Sequence, residues 1–207
     1  MYTVWKADSE AYEACGLGKI ESIERFKETF KLPIVEYHRS MGVSDDVIPK
    51  LEAAFRRAYP KYSSYIKIFP EVKTVLDKLR RENVRLAIAS NIPSDFLSEH
   101  LQSFGIIKYF DAMTGQDDCI EQKPSPQPIL VTLEKLMVTA EHSAYVGDME
   151  EDIIAAKKAG VYTIGICRKE GYHPCWKLKR QNPDSLIHNL NQLLTIVRKS
   201  NPVADSR

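Results

Sequence analysis

From Phe69 onward the chain alternates short aliphatic runs with amphipathic stretches, and this rhythm limits its possible folds more tightly than any other feature. PEVKTVLDKLRREN has helical periodicity with proline in its first turn, and VRLAIAS follows as a short buried strand. The pattern then repeats. SDFLSEHLQSFG, QPILVTLEKLMV and EDIIAAKKAG are predicted helices, and IIKYFDAMTG, SAYVGD and VYTIGI are predicted strands. SLIHNLNQLLTIVRK is expected as a closing amphipathic helix and the polar SNPVADSR as a frayed tail. Strand and helix in alternation imply βαβ units, hence an α/β fold with a Rossmann-like parallel sheet and helices on both faces.

Before Phe69 the character changes. ESIERFKETF and DDVIPKLEAAFRRAY carry helical periodicity, whereas YTVW, β-branched and aromatic, is predicted as the first strand of the sheet. The expected organisation is an α/β core from residues 1–12 and 69–207 with a helical cap from 13–68 inserted between them. A chain of 207 residues is long enough for such a core plus insert.

A net charge of +1, with 28% charged residues, argues against a nucleic-acid surface and leaves small anionic ligands open. No apolar run reaches the roughly 20 residues of a membrane span, so no membrane segment is expected. Cys15, Cys119, Cys167 and Cys175 form neither a dense disulfide framework nor a CxxC pair, which suggests reduced thiols and a cytoplasmic location. Cys167, His173 and Cys175 could offer zinc three ligands, but no fourth lies nearby, and an ordinary loop is the preferred reading.

In an open parallel sheet the ligand sits beyond the carboxyl ends of the strands. Ser90 and Asn91 end VRLAIAS, where a hydroxyl, an amide and backbone N–H groups at a helix start could take phosphate oxygens; the plain alternative is a helix cap. Lys123 precedes the stiff PSPQP segment, which fixes where its ammonium points. Asp148 closes SAYVGD, and Asp152 follows one turn into the next helix. Two hard oxygen ligands at that spacing suit Mg²⁺, and the competing role is a charge pair favoured by the helix dipole.

The order SN, then KP, then GDxxxDxxxAxxAG resembles the second, third and fourth motifs of the haloacid dehalogenase superfamily of phosphatases and related hydrolases. It is similar in particular to the phosphoglycolate phosphatase and β-phosphoglucomutase-like members with a helical cap. The resemblance implies that Ser90, Asn91 and Lys123 bind the phosphoryl group of a small phosphorylated substrate, that Lys123 also serves catalysis, and that Asp148 and Asp152 place Mg²⁺. The family's first motif, Asp-x-Asp-Gly-Thr, has no counterpart. Setting VWKADSE against it leaves Lys6 at the nucleophile position and Asp8 at the acid/base position. Lysine cannot be attacking oxygen and metal ligand at once. Lys6 would also weaken or abolish Mg²⁺ binding, because three carboxylates would face two ammonium groups where an aspartate at position 6 would set four against one.

Three readings follow from the resemblance: a degenerate site that binds a phosphorylated ligand or a protein partner without turnover, an active phosphatase whose first motif lies upstream of Met1, and a dehalogenase or phosphotransferase on the same fold.

Overall fold

The computed structural model describes residues 1–169 and 171–200, with the side chain of Ser200 left aside; of the predicted frayed tail, Ser200 ends the last helix and residues 201–207 lie outside the described residues. Two compact units emerge, Met1–Ile68 and Phe69–Arg207.

The regular elements of the first unit are helices: α1 (Tyr2–Ala14), α2 (Ile23–Thr29), α3 (Ile34–Ser40), α4 (Ile48–Ala58) and a 3₁₀ stretch at Tyr59–Tyr65. The predicted first strand is therefore corrected: YTVW opens α1, and residues 2–14 cluster with the helical unit. The reason lies in spacing. Thr3, Ala7, Asp8, Ala11 and Tyr12 are buried at intervals of one helical turn, which extended chain could not bury on one side. This stripe packs on α4, whose Ile48, Leu51, Ala54 and Ala58 are buried in return. Beside it Phe26, Phe30 and Tyr37 form a ring cluster with centroids 4.9 to 5.5 Å apart. Ser22 caps α2 by accepting the Arg25 N–H.

The second unit runs α5 (Val72–Arg81), β1 (Ala87–Ala89), α6 (Ser94–Ser103), β2 (Ala112–Thr114), α7 (Gln127–Leu136), β3 (Ala144–Gly147), α8 (Glu150–Ala159), β4 (Tyr162–Ile166), α9 (Cys175–Arg180), β5 (Ser185–Ile187) and α10 (Gln192–Ser200). The predicted closing helix is thus shorter than expected, since its first residues form β5 and only 192–200 are helical. Every strand pair is parallel. Side chains alternate across the strands: Leu86 packs with Val75, Leu79 and Leu194 from α5 and α10, whereas Ala89 packs with Ile129, Ala155 and Ala156 from α7 and α8. Helices therefore cover both faces, as an α/β fold requires.

The strands form two ladders, β1-β2 and β3-β4-β5, with no backbone pairing between β1 and β3. The Leu86 carbonyl and the Ser90 N–H both bond on the β2 side, so by strand parity Ala87 and Ala89 direct their backbone groups the other way, along the seam. At the end of β1 that seam is bridged by side chains. The Ala89 carbonyl accepts from Lys123 Nζ at 3.2 Å and from Tyr145 Oη at 2.8 Å.

Candidate functional site

The residues that VRLAIAS, EQKP and GDMEED contribute meet at the carboxyl ends of β1 and β3. Lys123 is the hub. This residue is 6% exposed, and its ammonium donates to Asp152 Oδ1 at 2.7 Å, Tyr145 Oη at 2.7 Å and the Ala89 carbonyl, which uses all three of its hydrogens. Burial alone would pull this lysine down, but Tyr145 and Asp152 together outweigh it and hold the ammonium above the ordinary lysine range. Its backbone is fixed as well: Asn91 Oδ1 accepts the Lys123 N–H and Asn91 Nδ2 donates to the Lys123 carbonyl, each at 3.1 Å. Asn91 therefore positions the lysine loop.

Asp152 is fully engaged. One carboxylate oxygen takes the lysine, and the other accepts the N–H groups of Asp148 at 3.2 Å and Met149 at 3.1 Å, closing the first turn of α8. Its position in the helix explains this, since a carboxylate in the first turn reaches back to the orphan N–H groups before it. Gly147 makes the reach possible: a Cβ there would lie 2.2 Å from Asp152 Cβ.

Asp148 has a different environment. Its Oδ2 accepts the Tyr172 N–H at 3.0 Å. Burial pushes its carboxyl up, the Tyr172 N–H opposes that rise, and neighbouring Asp152 adds to it. Two carboxylates thus share one ammonium, and that ammonium is on Asp152. Of the pair predicted to place a metal, Asp152 holds the ammonium and Asp148 the Tyr172 N–H.

At the end of β1, Ser90 Oγ accepts the Ile92 N–H at 3.2 Å, a local turn bond that leaves its hydroxyl hydrogen to donate. The start of α6 is already served, with the Ser94 N–H given to Asp117 Oδ1 at 2.6 Å. An anion at this strand end would therefore meet the Ser90–Asn91 loop and not the first turn of α6.

Lys6 and Asp8 occupy a different context from the one their alignment implied. Both are on α1, in the first unit. Lys6 Nζ lies 4.6 Å from the Trp5 ring centroid, a cation–π contact. Asp8 is 1% exposed, and neither of its carboxylate oxygens has a hydrogen-bond partner. A group so enclosed is a poor general acid or base for a bound substrate. The expectation of reduced thiols is also corrected, because Cys167 and Cys175 form a disulfide; Cys15 and Cys119 are free. The bond removes both sulfurs as zinc ligands. His173, Glu150 and Glu151 offer ligand atoms within 4.8 Å of one another, but His173 Nδ1 already accepts the Glu150 N–H at 3.1 Å.

Tyr145 belongs to none of the sequence motifs. The one signal for it is its position in SAYVGD, two residues before a glycine in a buried strand, where a hydroxyl needs a partner.

The sequence profile of haloacid dehalogenase-like hydrolases matches residues 3–166. Among curated proteins the chain is 30% identical over 182 residues to a candidate pyrophosphatase, PpaX, of Caldanaerobacter subterraneus, covering 88% of this chain and 80% of that protein. It is 33% identical over 167 residues to the phosphoglycolate phosphatase of Vibrio parahaemolyticus, covering 78% and 72% respectively. A crystal structure of a predicted phosphatase from Clostridium acetobutylicum superposes with a TM-score of 0.84 at 18% identity, over 96% of this chain and 91% of that one. The chain belongs to the haloacid dehalogenase-like hydrolases, and its relatives are phosphatases.

Proposed function

We propose that the second unit recognises the phosphoryl group of a small phosphorylated metabolite, as a phosphohydrolase of this family does, with the helical unit acting as the cap that bears on substrate choice. One observation carries the reading: Asn91, Lys123, Asp152 and Asp148 form a continuous hydrogen-bonded array on successive strand ends. Within it Asn91 and Asp152 hold the lysine, Lys123 supplies positive charge, and Ser90 offers a hydroxyl hydrogen. A phosphoryl oxygen takes an ammonium hydrogen in exchange for the Ala89 carbonyl or Tyr145, trading a neutral acceptor for an anionic one.

Mg²⁺, the cation this family implies, fits Asp148, whose buried carboxylate has the Tyr172 N–H as its polar partner and no ammonium of its own. When bound, the cation would neutralise charge on the phosphoryl group. Asp152 acts as the positioning residue for Lys123 and α8 and not as a second ligand.

A second reading, phospho-ligand binding without turnover, is favoured by the placement of Lys6 and Asp8 on a helix, since neither then offers an attacking oxygen at a strand end. Titration with inorganic phosphate tests the first claim: Lys123→Met and Asn91→Ala weaken binding at least about tenfold, and affinities equal to that of the unchanged chain refute the assignment. Hydrolysis of p-nitrophenyl phosphate with Mg²⁺ separates the two readings. Turnover abolished by Asp148→Asn supports the hydrolase, and phosphate binding without turnover supports the binding module.

A further inference from the structure

We infer that Cys167 and Cys175 form a redox modification site, a disulfide clip whose reduction frees the segment that orients Asp148. The clip joins the residue that follows β4 to the first residue of α9, eight positions apart. Among the described residues between them, Tyr172, His173 and Arg168 each bond to the unit. The Tyr172 N–H donates to Asp148 Oδ2 at 3.0 Å, His173 Nδ1 accepts the Glu150 N–H at 3.1 Å, and Arg168 pairs with Glu71 while lying over the Phe69 ring. Gly171 runs beside the same carboxylate, where an added Cβ would stand 3.5 Å from Asp148 Oδ2, an ordinary van der Waals distance. The closed ring thus ends on the carboxylate suited to a cation.

The two sulfurs differ in access. Cys167 is buried and Cys175 is partly exposed. An external dithiol attacks Cys175 Sγ, Cys167 leaves as the thiolate, and the second thiol of the reductant then displaces Cys175. The balance is two electrons and two protons: the protein disulfide becomes two thiols as the dithiol becomes a disulfide. Opening the ring restores chain freedom around Tyr172, so its amide spends less time on Asp148. Reoxidation reverses the change.

Weaker cation binding on reduction rests on Asp148 as the ligand, whereas the thiol count and the Tyr172 exchange rate do not. On the full chain without reductant, thiol titration in denaturant should find two of the four cysteines reactive, and four after treatment with dithiothreitol. Four without reductant would overturn the proposal. In the Trp5→Phe background, emission from Trp176, next to Cys175, should rise on reduction and stay constant in Cys175→Ser. Hydrogen exchange at the Tyr172 amide should speed up at least about threefold both on reduction and in Cys175→Ser, and exchange unchanged by either would also overturn it. Mn²⁺ binding followed by electron paramagnetic resonance should weaken about threefold to tenfold on reduction. If the thiol count and Tyr172 exchange behave as stated but Mn²⁺ affinity is the same in both forms and in Asp148→Asn, the clip stands and the ligand assignment falls.

Discussion

Replacing Asp8 with asparagine should stabilise the chain, and by an amount that grows with pH. The carboxyl lies inside the helical unit, 1% exposed and without a hydrogen-bond partner, and burial pushes it up to about 8 from an ordinary value of 3.8. The folded chain therefore keeps a proton that the unfolded chain releases near pH 4, so stability falls as pH rises from about 4 to about 8. At about 1.4 kcal/mol per pH unit, that interval sets a ceiling of about 6 kcal/mol above pH 8 and about 4 kcal/mol at pH 7. Burial moves His38, 2% exposed in the same unit, the opposite way, down to about 4 from 6.5. Its contribution rises between those values and masks Asp8 there, leaving Asp8 alone to act from about pH 6.5 to 8. The carboxamide introduced by Asp8→Asn is still a buried polar group, so a pH-independent cost of roughly 1–3 kcal/mol persists in the variant. Urea unfolding is followed by Trp5 fluorescence in a Trp176→Phe background, which reports on the helical unit alone. The stability difference between Asp8→Asn and the chain that keeps the carboxyl should widen by roughly 3–4 kcal/mol from pH 5 to pH 9. A difference constant to within about 0.5 kcal/mol would refute the claim that Asp8 is buried without compensation.

Lys123→Met leaves Asp152 with backbone N–H partners but no cation inside a buried pair, and should cost roughly 3–5 kcal/mol, measured by denaturant midpoint. Gly147→Ala forces a Cβ to 2.2 Å from Asp152 Cβ and should destabilise the second unit by at least about 2 kcal/mol in thermal unfolding, with loss of phosphate binding. Asp148→Asn should remove the Mn²⁺ resonance change while leaving the melting temperature within about 3 °C of the unchanged chain. Tyr145→Phe deletes a donor to Ala89 and an acceptor from Lys123, and should cost about 1–2 kcal/mol by the same measurement.

The α/β rhythm after Phe69 is legible because buried parallel strands and amphipathic helices write different periods, and Lys123 because proline follows it. YTVW misleads because β-branched and aromatic residues favour strands locally, while the stripe of Thr3, Ala7, Asp8 and Ala11 that makes α1 extends beyond those four residues. Asp152 is legible as a member of this strand-end cluster, but its hydrogen bonds are not. Two carboxylates four apart fit paired metal ligands, and only the geometry at Gly147 shows that one of them is bound to its own helix start and to the lysine. The disulfide is hidden for a different reason. Cysteines eight apart carry no pairing signal until β4 and α9 bring their Cα atoms to 5.0 Å.

The seam between the two ladders has a consequence for how the unit acquires its order. β1 and β2 come from one contiguous stretch, and β3, β4 and β5 from another, so each ladder pairs within its own stretch of chain. The bonds that Lys123 makes to Ala89 and Asp152 span 34 and 29 residues, and the second of them reaches from the β1-β2 stretch to α8. The ammonium thus fastens the stretch that carries β1 and β2 to the stretch that carries β3, α8, β4 and β5. A phosphoryl group bound at Lys123 would therefore do more than occupy a site: by binding only where the halves are joined, it would raise the cooperativity of the whole unit.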